Sequence, residues 1–84
     1  MGEGSYRKEN TGYQALANAV VEQAAKDYLR ALKRLKIDPR NLTGERMKKE
    51  CEIFFCSDWF RELTDVDGRW LMETLGREQE RNDS

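Results

Sequence analysis

Histidine is absent from this chain, and cysteine occurs only twice in 84 residues. Without histidine the commonest general base is missing. Two cysteines without a histidine cannot complete a tetrahedral zinc site within one chain, and they are too few for a disulfide scaffold. Cys51 and Cys56 are five positions apart, which on a helix points them roughly 140° away from each other. They are read as reduced thiols, with Cys51 buried. No apolar run approaches the ~18 residues that span a membrane, and the N-terminus has no apolar signal core. Met1-Gly2 opens like a myristoylation site, but Tyr6 stands where Ser or Thr is needed. A cytosolic protein with no membrane contact is expected. There is neither a glycine-rich phosphate loop nor a nucleophile elbow, and nothing alternates with period two for long enough to make a strand. An enzyme and a bound cofactor are therefore not expected.

Charge, by contrast, is abundant and unevenly placed. Charged residues make up 37% of the chain while the net charge is only −1. Residues 1–42 carry eight Lys and Arg against five Asp and Glu; residues 43–84 carry seven against eleven. A uniformly basic nucleic-acid binder does not look like this. Residues 1–10 are polar, and residues 77–84 contain no aliphatic or aromatic side chain. They are expected to be flexible tails around a single helical domain over 11–76. A core of roughly 65 residues supplies only a few kcal/mol, which makes assembly into a homo-oligomer a reasonable way to bury more surface.

The only proline, Pro39, divides the chain. Before it, Tyr13, Leu16, Ala17, Val20, Ala24, Tyr28, Ala31, Leu32 and Leu35 recur at the spacing of an amphipathic helix from about Thr11 to Lys36. The alanines at 17, 24 and 31 let a partner helix come close. Asp38-Pro39 ends the helix, because the residue before proline is pushed out of helical geometry. After it, Thr43 is the expected N-cap of a second helix to about Cys56, with Met47, Cys51, Phe54 and Phe55 inward. Ser57 caps a short helix carrying Trp59, Phe60 and Leu63. Thr64-x-x-Asp67 reads as an acidic capping box, opening a last helix with Val66, Trp70, Leu71 and Leu75 inward and Gly76 as its C′ residue. The fold class is all-α: one long amphipathic helix packed on two or three short helices, a small helical bundle.

Each constellation that hints at chemistry has a plainer explanation. Asp65-x-Asp67-Gly68 resembles part of a calcium loop, but the first and last ligands would fall on Leu63 and Thr74, so a helix start explains it better. Asp27 lies at the edge of the apolar stripe; a fixed pair with Arg61, Arg69 or a backbone amide is favoured over a ligand contact. Lys26, Arg30, Lys33 and Arg34 form a basic strip on the first helix. A solvated face is favoured there over a phosphate seat, since no aromatics interleave with it. A helix-turn-helix over 45–63 fails, because the would-be recognition helix carries Asp58 and Glu62 and only one arginine.

Five of the eight aromatics fall between Glu50 and Trp70, more than one small core readily hides. Leu29, Ile53 and Met72, together with an exposed aromatic such as Trp59, are the expected partner-binding patch. Two blocks, Ala15 to Leu35 and Glu50-Cys-Glu-Ile-Phe-Phe-Cys-Ser-Asp-Trp-Phe60 running into Leu63-Thr-Asp-Val-Asp-Gly68, resemble small uncharacterised proteins of prophages and conjugative elements of Gram-positive bacteria. Cys56 departs from that pattern, standing where a basic residue is expected. The resemblance implies a context and no activity: a mobile-element accessory factor that acts by binding, for example to a host defence protein. The expected function is a non-catalytic binding protein for a protein partner. The alternative is a binder of nucleic acid or a nucleotide through Lys26, Arg30, Lys33 and Arg34.

Overall fold

In the computed structural model, backbone is described for residues 2–83 and side chains for residues 12–81. Four helices follow one another: α1 (Gly2–Ile37), α2 (Leu42–Phe55), α3 (Asp58–Leu63) and α4 (Gly68–Asp83). No strand occurs among the described residues. The molecule measures 54 × 25 × 20 Å, and 36 residues of α1 at 1.5 Å each account for its long axis.

The turn after α1 forms as Pro39 dictates. Asp38 N–H still bonds Arg34 O at 2.8 Å, Arg40 N–H bonds Asp38 Oδ1 at 3.1 Å, and Asn41 N–H bonds Asp38 O at 3.0 Å. The chain thus reverses within four residues, and α2 runs back along α1. The cap of α2 is Asn41, whose Oδ1 accepts from Gly44 N–H at 2.7 Å. Thr43, the expected cap, lies inside the helix. Asn is at least as good a cap as Thr, and the tight turn delivers it first.

The α1–α2 seam is close. A Cβ on Gly44 would sit 3.2 Å from Arg34 Cβ and 3.3 Å from Leu35 Cγ. Farther along, Cys51 Sγ donates to Ala24 O at 3.6 Å, and Ala17 and Ala31 are buried. The small residues on the α1 stripe are what let α2 and its neighbours approach.

Tyr28, Cys51, Phe55 and Phe60 form the buried centre, with Ala24, Phe54, Leu71, Met72 and Leu75 packed against it. Its rings meet edge to face: Tyr28 on Phe55 at 5.7 Å, and Phe60 on Phe55 at 5.5 Å and on Phe54 at 5.4 Å. Such pairs contribute about 0.5–1.5 kcal/mol each beyond burial. Phe60 is fully buried because Ser57 starts α3 there: its Oγ accepts from Phe60 N–H at 3.1 Å.

Several sequence expectations need correction. α1 begins at Gly2 instead of near Thr11; no apolar stripe announces these first residues, two of which, Gly2 and Gly4, argue against a helix by propensity. The capping box at Thr64 does not form. Thr64 ends α3, its hydroxyl accepting from Val66 N–H at 3.2 Å, and Asp67 caps α4 by accepting from Arg69 N–H at 2.9 Å. Gly76 does not end α4, no described glycine has a positive φ, and the helix runs to Asp83. Gln79, beyond the expected boundary, is buried. Tyr13, Leu16, Val66 and Trp70, all expected inward, are exposed. Because α4 touches both α1 and α2, its buried arc passes through Leu71, Met72, Leu75 and Gln79 and leaves Trp70 outside.

Candidate functional site

A shallow apolar groove of about 300 Å³ lies between α1 and the α2–α3 corner. Val20, Gln23, Ala24 and Asp27 come from α1, Phe54 from α2 and Trp59 from α3. The four α1 positions recur at three- and four-residue spacing, one row along a helix face. Trp59 is held upright by its edge-to-face contact with Phe54, ring centroids 5.3 Å apart. It is nevertheless 57% exposed. The Ser57 cap fixes where α3 starts, and so sets the tryptophan over the groove.

Asp27 closes one end. Its Oδ1 accepts from Gln23 Nε2 at 3.1 Å and faces Arg30 Nη1 at 3.5 Å. The partners sit on its own helix, not on Arg61 or Arg69. At the other end the row continues along α1 through Leu16 and Tyr13, which are 63% and 55% exposed. Groove and stripe together make one contiguous apolar surface on a chain more than a third of whose residues are charged.

The residues expected to bind a partner are not gathered in one place. Trp59 lines the groove. Ile53 is exposed on α2 but does not line it, and Leu29 is half-buried on α1. Met72 packs against the core cluster and is withdrawn from the patch, since α4 presents it to its neighbours. Val20, Leu16 and Tyr13 carry the periodicity of the core, so the sequence alone points them inward. Gln23 gave no signal in the sequence at all.

The basic strip is exposed along its length. Lys26 pairs with Glu22 at 3.9 Å and Arg30 with Asp27 at 3.5 Å, so half of its charge is already answered by α1 itself. Lys33 and Arg34 lie toward the C-terminal end of α1, where cations also favour the helix dipole.

Two other places bring titratable groups together. Tyr28 Oη donates to Glu52 Oε2 at 3.0 Å, and Lys48 Nζ donates to the same oxygen at 2.7 Å. Burial and the Glu52 carboxylate push the Tyr28 phenol up to about 12. Burial also pushes Glu52 upward, but the bonds from Lys48 and Tyr28 and the charges of Lys48 and Lys49 outweigh it and hold the carboxyl below its usual range. Phenol and carboxylate are locked in those states near neutrality, which suits a structural clamp. A second recess of about 600 Å³ at the α3–α4 turn has Phe55 and Phe60 at its base and Arg61, Asp65, Asp67 and Arg69 around it. Opposite charges are mixed there, and Asp67 is committed to capping α4.

No family model, curated protein or solved structure matches this chain.

Proposed function

We propose that this chain is a non-catalytic helical binding protein that engages a protein partner through the α1 groove and the stripe that continues it. The observation that carries this reading is the contiguous surface of Tyr13, Leu16, Val20, Phe54 and Trp59, in which a recess adjoins exposed apolar side chains. Such surfaces mark sites where proteins meet, and aromatic residues dominate the contact energy there. The groove offers apolar walls and a single carboxylate, a poor match for a sugar or a phosphate. In keeping with the resemblance of the two sequence blocks, the reading places the protein as an accessory factor of a mobile element, with a host defence component among its partner classes.

Binding of a phosphate-bearing ligand at the basic strip is the second reading. It retains Lys33 and Arg34, both exposed and at the favourable end of α1.

Quantitative affinity capture from the cells that carry the protein separates the two. A protein enriched by the native chain, lost with Trp59→Glu and kept with Lys33→Glu/Arg34→Glu supports the groove, provided the helical signal of Trp59→Glu is unchanged. Retention that vanishes with the double charge reversal, and falls steeply with salt, transfers the function to the basic strip. Capture indifferent to Trp59→Glu overturns the groove reading.

A further inference from the structure

We infer that the occupant of the groove is a second copy of this chain, docked with its α1 antiparallel to the first. This rests on the groove being a protein-binding surface and names the partner. A two-fold interface needs a projection and a recess on the same face, because each copy supplies both. The α1 row has them in sequence. Tyr13 and Leu16 project, 55% and 63% exposed; Val20 and Ala24 floor the recess, Phe54 and Trp59 wall it, and Asp27 ends it.

With the two-fold axis at Val20, Leu16 lies four residues before the axis and meets Ala24, four residues after it. Each leucine then drops into the other copy's groove. Tyr13, seven residues before, meets Asp27, seven residues after. Both bonds that Asp27 makes within its own helix use Oδ1, so Oδ2 is placed to accept the incoming phenol.

The area is adequate. Covering Tyr13, Leu16 and Trp59 removes roughly 300 Å² per copy, taking about 150–250 Å² for each aromatic side chain. That is more than a third of the ~800 Å² per partner in a standard interface. Val20, Phe54 and the polar flanks of a long helix are there to contribute the remainder.

Light scattering across a concentration series, combined with cysteine cross-linking in a Cys56→Ser background, tests this. The native chain is expected to have dimer mass. Leu16→Asp is expected to be a monomer that keeps its helical signal, since Leu16 faces solvent within one copy, and whose melting temperature no longer depends on protein concentration. Tyr13→Phe removes the bond twice, once from each copy, and should weaken the dimer roughly a hundredfold or more, at about 1.5 kcal/mol or more per hydrogen bond to a charged group. Val20→Cys should link between copies on oxidation. Leu16→Cys should not link to itself, because the two positions lie about 12 Å apart along an antiparallel pair. A native chain that stays monomeric at every concentration overturns self-pairing; the capture experiment with Trp59→Glu then still reports whether a foreign protein takes the groove. A dimer unaffected by Leu16→Asp, or one linked through Leu16→Cys and not Val20→Cys, overturns it equally.

Discussion

Among the described glycines, Gly68 has the least freedom to change. A Cβ built there runs into the carbonyl of Phe55, a backbone atom that cannot swing aside. Gly68→Ala forces the α2 end and the α4 start apart and is expected to lower stability by about 2 kcal/mol or more, a drop in melting temperature of about 10 °C for a domain of this size. The Tyr28–Glu52 contact makes a second prediction. The Tyr28 phenol is raised to about 12 in the folded chain, against about 10 when unfolded. Its contribution is therefore complete below pH 10 and fades as pH climbs toward 12, where the unfolded chain has given up its proton and the native chain has not. Alkaline denaturation should begin at higher pH in Tyr28→Phe. Glu52 works in the opposite direction: held below the usual carboxylate range, it stabilises above its unfolded value and is lost as pH falls through its folded one.

Among the elements, the caps separate what sequence discloses from what it hides. Ser57 is readable because it alone precedes an aromatic helix with a cap-type side chain. Asn41 and Thr43 are both good caps two residues apart, and only the geometry of the Pro39 turn selects Asn41. Asn41→Ala should cost about 1 kcal/mol, while Thr43→Ala should stay within about 0.5 kcal/mol; urea midpoints of the two variants check this. The same limit explains the helix bounds. Periodicity reports only the part of a helix that packs, which covers the middle of α1. The stretch before Thr11 carries no apolar stripe, and the run Arg77–Asp83 packs through the polar Gln79 and holds short-range pairs such as Arg81–Glu78 at 2.9 Å, so neither leaves an apolar trace. Conversely, Tyr13 and Leu16 carry the core's periodicity but lie where no other helix covers them.

The whole molecule has one aromatic centre linking all its helices, and Phe60 is the ring that ties α3 into it. Phe60→Ala should cost about 3–5 kcal/mol, comparable to the total stability of a small core. Loss of the cooperative melting transition is the expected result, where a merely local role would leave it in place. At this scale the all-α class was legible, since the amphipathic spacing and the Ser57 cap suffice for it. The groove was not. Trp59 and Asp27 each drew attention separately, but their meeting depends on α3 folding back over α1, a long-range fact that no local pattern encodes.

The two thiols lie in opposite environments: Cys56 is open to solvent, while Cys51 is buried with its sulfur against the Ala24 carbonyl. Burial, with the charges of Asp27, Glu50 and Glu52, also raises the Cys51 thiol, further slowing any reaction of the closed form. A thiol-specific reagent therefore meets an immediate label and a delayed one in the same chain. The first sets the intrinsic chemical rate, and the lag of the second counts how often the α1–α2 seam opens. The protein carries its own clock for the breathing of its core, and mass spectrometry can read it without adding a probe.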